Sequence, residues 1–321
     1  MIRGKVLELL EEDWTRMTEL IRAALVSEVP LANEINDGIL SHPGKLLRPM
    51  MSLLLARACG ETTAQSIRYA AAAELLHNAT LIHDNVADNS AQRRGMPTIA
   101  TRIGPRAAVL VGDYWLARAV EMVLGDGTDV EALRLLSRPL VDLAEGEILQ
   151  LQKAESCDTD ESDYLQIIYC KTASLFEFVG TTAARSVGAR DAWKEAATAY
   201  ARAFGMGFQI RDDILDYSGA QIGKPVGQDL TEKKITLPLI GALRGSDREE
   251  EIRNLVRGMA DHPGNGDRIR AFVEERDGIG YARRRLEEYV AEAIRALDPL
   301  PDSPAKDGLI DIAKYNSIRD L

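Results

Sequence analysis

The chain has 321 residues and is 45% hydrophobic, so it can bury a sizeable core and does not have the composition of a disordered protein. With 39 Lys and Arg against 50 Asp and Glu, its net charge is −11, and we expect no nonspecific attraction to nucleic acid. Three dispersed cysteines form neither a disulfide framework nor a CxxC spacing, and we expect neither a signal peptide nor a membrane span. These features predict a cytoplasmic protein.

Hydrophobic residues recur with helical spacing through most of the chain, and the alternation of half-buried strands is almost absent. The pattern therefore predicts an all-α fold. Gly and Pro separate the helices, as at Gly95-Met96-Pro97 and Gly223-Lys224-Pro225. The predicted helices span about 2–27, 32–40, 45–59, 64–88, 105–124, 128–152, 160–187, 191–217, 236–244, 248–260, 266–275, 277–297 and 304–318.

The chain shows no sign of a division into domains. No linker rich in Ser, Gly or Pro interrupts it, no repeat period is present, and the breaks between helices are short. We therefore expect one domain over residues 1–321. The helix over 64–88 is apolar around much of its circumference and is predicted to be buried.

This buried helix ends in carboxylates. Asp84 and Asp88 are four residues apart and project from one helix face, on which His77 lies two turns earlier. Arg93 and Arg94 follow in a loop. Arg binds phosphate directly and carboxylates bind it through a cation, so the segment suits a diphosphate–magnesium complex. Read alone, the segment fits a solvated helix end with surface ion pairs equally well.

A second acidic cluster lies in the segment Phe204–Tyr217. Asp212 and Asp216 share a helix face, with Phe208 and Gln209 one turn earlier. Apolar residues between the carboxylates argue against an exposed acidic stripe. Two such faces opposed within one fold could hold magnesium, which binds through few carboxylates and completes its coordination with water and phosphate oxygens.

Cationic residues in loops and at helix ends complete this pattern: Lys45, Arg48, Lys171, Lys224 and Lys234. Together with the two aspartate clusters, they resemble the trans-polyprenyl diphosphate synthase family from about Gly44 to Pro238. The resemblance implies a single-domain helical bundle around a deep central cavity, with the two acidic motifs facing each other across it. It also implies a homodimer.

The resemblance further implies a role for each residue. Three Mg²⁺ ions with bound diphosphate would be held by Asp84, Asp88, Asp212 and Asp216. The allylic diphosphate would be bound by Arg93, Lys171, Thr172, Phe208, Gln209, Lys224 and Lys234. Isopentenyl diphosphate would be bound by Lys45, Arg48, His77 and Arg94. The residues expected to be essential for catalysis are Asp84, Asp88, Asp212, Lys171 and Lys224.

The implied reaction is a head-to-tail prenyl transfer. Departure of the allylic diphosphate develops negative charge on oxygen, which cations stabilise, and positive charge on carbon, which apolar surroundings and an aromatic face such as that of Phe208 protect. The isopentenyl double bond then attacks the allylic carbon, and a proton is lost. No side-chain nucleophile is needed, in keeping with the absence of a persuasive Ser/His or Cys/His arrangement.

Two small residues before the first motif, Ala79 and Thr80, predict an open cavity floor and hence a long product. One helical turn rises ~5.4 Å, close to one isoprene unit, so an open path admits several units and favours an all-trans product of about C30 to C45. Bulk from Trp115, Met122 or Phe176 could instead close the cavity elsewhere. We also expect peripheral contact with a membrane when such a product is released.

Two departures from the family pattern keep alternatives open. Asn85 stands where the first motif usually has a second aspartate, and Leu46 stands where relatives often have a further basic residue. The alternatives are a short-chain farnesyl or geranylgeranyl diphosphate synthase and a noncatalytic subunit of another synthase. A terpene cyclase is disfavoured because it needs no isopentenyl-binding cations such as Lys45, Arg48 and Arg94.

Overall fold

A computed structural model describes residues 2–42, 44–93, 96–125, 127, 130–218 and 227–318. The described chain is almost entirely helical, which confirms the predicted all-α fold. A π-helical turn lies at Tyr169–Ala173, between α9 and α10. The elements are α1 (Ile2–Leu9), α2 (Glu11–Ala24), α3 (Pro30–Leu40), α4 (Leu47–Cys59), α5 (Ala64–Ala87), β1 (Gln92–Arg93), β2 (Met96–Pro97), α6 (Ile99–Ile103), α7 (Pro105–Leu124), α8 (Val130–Ser156), α9 (Glu161–Ile168), α10 (Ser174–Ser186), α11 (Asp191–Ser218), α12 (Gln228–Thr231), α13 (Leu237–Leu243), α14 (Glu249–Arg257), α15 (Asn265–Glu275), α16 (Gly278–Ala296) and α17 (Pro304–Ile318).

Most predicted helices are present with ends that differ by a few residues. The predicted helix over 2–27 is divided into α1 and α2 at the buried residue Leu10. The predicted helix over 160–187 contains the π-helical turn. The hairpin β1–β2 and the short helices α6 and α12 have too few residues to show a periodicity, so the pattern does not predict them. Among the described helices, none is both long enough and apolar enough to cross a membrane.

The chain divides into two compact units. The first unit comprises Met1–Arg138, Leu175–Ala201 and Ala296–Ile312. The second unit comprises Pro139–Ser174, Arg202–Arg295 and Ala313–Leu321. The single domain expected from the sequence therefore stays a prediction.

In the first unit, α5 packs along α7 and also contacts α2 and α4. The helix begins at a capping box formed by Thr63 and Ser66, and its alanines 70–73 are fully buried. Trp115 of α7 is also buried and donates its indole N–H to Asn36 Oδ1 at 2.8 Å. The small side chains of alanines 70–73 allow close helix packing. This packing fixes the C-terminal end of α5, where the first aspartate motif lies.

In the second unit, the part of α11 from Arg202 onward lies in an apolar core. Ile210, Ile214 and Tyr217 pack there with residues of α9, α13 and α15. A Cβ atom at Gly207 would lie 3.3 Å from the side chain of Leu286, so α11 and α16 are in contact at this point. The buried side of α11 thereby fixes the orientation of the second aspartate motif.

Gly180 lies at a close approach of α10 and α11 within the first unit. A Cβ atom there would be 2.4 Å from the carbonyl oxygen of Ala197 and 2.7 Å from Cβ of Ala201. We expect Gly180→Ala to lower the free energy of unfolding by about 1–3 kcal/mol, because the helix backbones must separate. Thermal and denaturant unfolding would measure this.

Gly4→Ala is the matched control, because Gly4 is helical and exposed and a Cβ atom there meets nothing within 4 Å. We expect this change to leave stability unaltered or to raise it by up to about 1 kcal/mol. Equal stabilities for the two variants would contradict the close packing of α10 on α11.

Candidate active site

The first acidic motif lies at the C-terminal end of α5. Asp84 is half-buried in the last turn, and Asp88 is the exposed residue that caps the helix, where its N–H donates to the Asp84 carbonyl oxygen at 2.8 Å. Both carboxylates therefore sit at the helix end, as the spacing predicts. His77 is half-buried two turns earlier.

Residues that follow α5 return to this helix end. The Thr98 hydroxyl donates to the Ser90 carbonyl oxygen at 2.8 Å, which joins the two ends of the segment that contains β1 and β2, and the Ser90 N–H donates to the Asn85 carbonyl oxygen of α5 at 3.0 Å. Arg93 of β1 donates from Nη1 to Asn85 Oδ1 at 2.9 Å. Asn85, the unusual residue of the motif, thus positions a cation that is predicted to bind diphosphate. Arg94, a predicted isopentenyl diphosphate ligand, lies outside the described residues.

The residues predicted to set product length lie on the preceding turn of α5. Ala79 is buried, and Thr80 is half-buried with its hydroxyl donating to the His77 carbonyl oxygen at 2.9 Å. This intrahelical bond keeps the Thr80 hydroxyl satisfied beside apolar surroundings.

The other predicted cations of the first unit flank the start of α4. Leu46 precedes the helix in the left-handed conformation (φ 53°, ψ 39°), and the neighbouring Lys45 is exposed. Arg48, half-buried in the first turn, places its guanidinium carbon 4.6 Å from the centroid of the Phe176 ring. Sequence reasoning treats Phe176 only as possible cavity bulk, because no local pattern reveals a contact between residues so distant in the chain.

The second acidic motif lies on α11, in the second unit. Asp212 is the most accessible of its carboxylates, with 41% of its side chain exposed, and it accepts a hydrogen bond from Arg211 Nη2. Arg211 is itself fixed, since its Nη1 donates to Asn316 Oδ1 at 2.8 Å and its guanidinium stacks on the Phe208 ring. One face of Phe208 is therefore covered by a cation.

A chain of hydrogen bonds connects four side chains of the second unit. The Tyr164 hydroxyl donates to Asp213 Oδ2 at 2.6 Å, Gln209 Nε2 donates to Asp213 Oδ1 at 2.8 Å, and the Thr172 hydroxyl donates to Gln209 Oε1 at 2.7 Å. Burial raises the pKa of the Asp213 carboxyl well above its ordinary range, against the two hydrogen bonds. Asp213 thus orients Gln209, while its neighbour Asp212 is the more exposed carboxylate. No sequence signal identifies Tyr164.

The predicted metal ligand Asp216 has backbone donors in this structure. Its Oδ1 and Oδ2 atoms accept from the N–H groups of Gln228 and Asp229, both at 3.3 Å, and so hold the start of α12. Its role in metal binding stays a prediction. Lys234 forms an ion pair with Glu232, and Lys224 lies outside the described residues.

Lys171 and Thr172 lie in the π-helical turn. π-Helical turns are frequent at functional sites, because the extra residue redirects side chains. Lys171 forms an ion pair with Glu147 of α8, which sequence analysis does not single out. The neighbouring Gly146 permits this approach, since a Cβ atom there would be 2.6 Å from Cβ of Cys170 and 2.9 Å from Cγ of Lys171.

Within the part of the chain that the structure describes, no three His, Cys, Asp or Glu side chains are grouped closely enough to hold a metal by themselves. Asp84, Asp88 and Asp212 nevertheless supply accessible carboxylate oxygens, the donors that Mg²⁺ prefers. Such an ion would complete its coordination with water and substrate oxygens.

The comparisons with known proteins identify the family of the chain. The model of the polyprenyl synthetase family matches residues 29–275. The chain belongs to the polyprenyl synthetase family. It is 37% identical to the octaprenyl diphosphate synthase of Escherichia coli K12 over 322 residues, which cover 98% of each protein. The predicted family resemblance and the predicted prenyltransferase activity are thereby confirmed.

Two solved structures extend the similarity to the whole fold of this polyprenyl synthetase. A decaprenyl diphosphate synthase from Rhodobacter capsulatus superimposes with a TM-score of 0.92 at 34% identity, covering 99% of both chains. A polyprenyl synthase from Caulobacter crescentus CB15, complexed with calcium and isoprenyl diphosphate, gives 0.91 at 33% identity and covers 99% of this chain and 98% of its own.

The chain of hydrogen bonds through Asp213 generates a testable expectation. Tyr164→Phe removes the donor to a buried carboxylate, so we expect the free energy of unfolding to fall by about 1–3 kcal/mol. We also expect the KM for the allylic substrate to rise, because Asp213 then holds Gln209 less rigidly. Unfolding curves and steady-state kinetics would measure the two effects.

Tyr200→Phe is the control for this substitution. Tyr200 is equally buried, and its hydroxyl donates to the Leu309 carbonyl oxygen at 2.7 Å, so its loss should reduce stability and leave KM unchanged. An unaltered KM in Tyr164→Phe would contradict a positioning role for Tyr164.

Proposed function

We propose that this polyprenyl synthetase condenses isopentenyl diphosphate with an allylic diphosphate to give a long all-trans prenyl diphosphate of about C30 to C45. The observation that carries the proposal is the composition of the two motifs. Each places accessible carboxylates beside fixed cations: Asp84 and Asp88 near Arg93, and Asp212 beside Arg211. A diphosphate, which binds carboxylates through metal ions and cations directly, would make use of both groups.

The length of the product is supported by relatives and by the small side chains of α5. The similar proteins from E. coli and R. capsulatus are named for octaprenyl and decaprenyl products, and they do not favour the short-chain alternative. Ala79 and Thr80 add no bulk below the first motif, in contrast to an aromatic residue. We therefore assign these two positions to chain-length control.

Divalent cations belong to this proposal. The Caulobacter relative contains calcium together with isoprenyl diphosphate, and Mg²⁺ shares the preference of calcium for oxygen ligands. In this chain, Asp84, Asp88 and Asp212, with Asp216 as a further candidate, would hold three Mg²⁺ ions. When bound, these ions would neutralise the charge that develops on the departing diphosphate.

The chain's own cations would hold the allylic diphosphate. Lys171 and Lys234 are paired with Glu147 and Glu232, and each ammonium has three N–H donors with which it would bind a phosphate oxygen beside its carboxylate or in place of it. Gln209, oriented by Asp213 and Thr172, would donate from a fixed position. Such preorganised donors stabilise the leaving group without reorganisation during the reaction.

The remaining assignments follow the same scheme. Lys45, Arg48, His77 and Arg94 would hold isopentenyl diphosphate, and Arg93 and Lys224 would join the allylic site. Phe208 could stabilise the allylic cation only through the face that Arg211 does not cover. The single domain and its deep central cavity are part of this proposal.

Assembly and location complete the proposal. Exposed apolar side chains lie on α7 and α8, where Leu110 is 63%, Ile148 65% and Leu151 62% exposed, and a homodimer would cover such surfaces. Cys59, Cys157 and Cys170 are all buried and are not joined in disulfides, in keeping with a reducing cytoplasm. Release of a long apolar product would involve contact with a membrane.

The direct test is turnover by the purified chain alone. With farnesyl diphosphate, labelled isopentenyl diphosphate and Mg²⁺, we expect prenyl diphosphates of about C30 to C45, and chelation of the metal should abolish their formation. Sizing the dephosphorylated lipids distinguishes long-chain from short-chain synthases. A folded chain that forms no product under these conditions would support the noncatalytic-subunit alternative instead.

Chain-length control is tested by adding bulk on α5. Ala79→Phe should shorten the products by several isoprene units, because each helical turn spans about one unit. Ala64→Phe is the control, since Ala64 is exposed at the start of the same helix and should leave the lengths unchanged. Circular dichroism would verify folding. An unaltered product distribution in folded Ala79→Phe would place the determinant of length elsewhere.

A further inference from the structure

Arg48, a predicted substrate cation, stacks on the aromatic ring of Phe176. The guanidinium carbon lies 4.6 Å from the ring centroid, within the range of a cation–π interaction. Phe176 is fully buried near the start of α10, and Arg48 is half-buried in the first turn of α4. The ring is therefore held rigidly by its surroundings, and it restricts the orientation of the Arg48 guanidinium.

Other predicted substrate cations contact hydrogen-bond acceptors. Lys171 and Lys234 pair with carboxylates, and Arg93 donates to the amide oxygen of Asn85. A carboxylate competes with diphosphate for the ammonium group. An aromatic ring beneath a guanidinium contacts the face of the guanidinium. The ring accepts no hydrogen bond from the N–H groups at the guanidinium edge, which are the groups that bind phosphate in a bidentate manner.

We propose that Phe176 is a positioning residue for isopentenyl diphosphate, because it fixes the guanidinium of Arg48 in the orientation that binds the diphosphate. The inference rests on the proposed function, in which Arg48 belongs to the isopentenyl site. Phe176 itself need not touch the substrate. Its contribution is to restrict the rotamers of Arg48 before binding, so that less conformational entropy is lost when the diphosphate arrives.

The expected loss of affinity follows from the strength of the cation–π contact between Arg48 and Phe176. Cation–π interactions contribute about 0.5–2 kcal/mol, which corresponds to about a 2- to 30-fold change in affinity. We expect Phe176→Leu and Phe176→Met, which remove the ring and keep an apolar side chain, to raise the KM for isopentenyl diphosphate within this range. The KM for the allylic diphosphate and the product lengths should stay unchanged, and kcat should remain within about twofold.

Two further variants distinguish the effect of losing the aromatic ring from the effect of loosened helix packing. Phe176→Tyr keeps the aromatic face and should keep the KM for isopentenyl diphosphate near that of the wild type. Phe178→Leu removes an equally buried ring two residues along α10, so it reports the effect of loosening this helix. Circular dichroism and thermal unfolding establish folding. If Phe176→Leu does not fold, the KM for isopentenyl diphosphate is measured in Phe176→Met instead.

A double-mutant cycle tests whether Phe176 acts through Arg48. Arg48→Met should raise the KM for isopentenyl diphosphate, and adding Phe176→Leu to it should cause no further increase. Full additivity of the two changes would overturn the inference. So would an increase in Phe178→Leu equal to that in Phe176→Leu, or a change in product length without a change in KM, which would make Phe176 part of the cavity lining.

The same measurements distinguish failure of the inference from failure of the proposed function. If Arg48→Met raises the KM and removal of the Phe176 ring does not, the inference is wrong and the isopentenyl site stands. If Arg48→Met has no effect, Arg48 lies outside that site, and both its assignment and the inference are overturned. If the wild-type enzyme forms no prenyl diphosphate at all, the proposed function itself fails.

Discussion

The attraction between a carboxylate and a diphosphate through a metal cation is the interaction on which the proposed chemistry depends. The protein carries a net charge of −11, and its two conspicuous motifs add carboxylates where an anionic substrate would bind. Without intervening cations these groups repel each other. With them, the acidic motifs would become binding sites, and nearby Arg and Lys side chains would complete the neutralisation.

The carboxylates of the second motif differ in their surroundings, although they are close neighbours in sequence. Asp213 is buried and accepts hydrogen bonds from Tyr164 and Gln209, whereas Asp212 is accessible and contacts Arg211. Asp216 accepts from the backbone at the start of α12. Adjacent aspartates on one helix can thus have different roles: one orients polar partners, and the other is available to a cation.

Much of the fold could be predicted because it depends on local patterns. Helical periodicity locates the long helices, and the four-residue spacing places Asp84 and Asp88 together at the end of α5. The π-helical turn at Lys171 and the left-handed Leu46 have no comparable signal. The π-helical turn lies where α8 approaches closely at Gly146, and this tertiary contact has no counterpart in the spacing of residues.

The partners of the site residues could not be predicted for the same reason. Arg48 meets Phe176, Lys171 meets Glu147, and Asp213 meets Tyr164 across long stretches of chain, so spacing alone does not connect them. Asn85 is only eight residues from its partner Arg93, but the return of the chain through β1, and not helical spacing, brings them together. Sequence reasoning treats it as a lost acidic residue, whereas the structure shows it holding Arg93.

The central claim is that the two acidic motifs bind diphosphate through metal ions, and equilibrium titration with inorganic diphosphate tests it most directly. The account predicts tight binding by the wild type with Mg²⁺ and little binding with chelator. In Asp84→Asn and Asp212→Asn, affinity with Mg²⁺ should fall by about tenfold or more, which is at least about 1.4 kcal/mol. Binding of equal strength with and without metal, or unaltered affinity in both variants, would contradict the account.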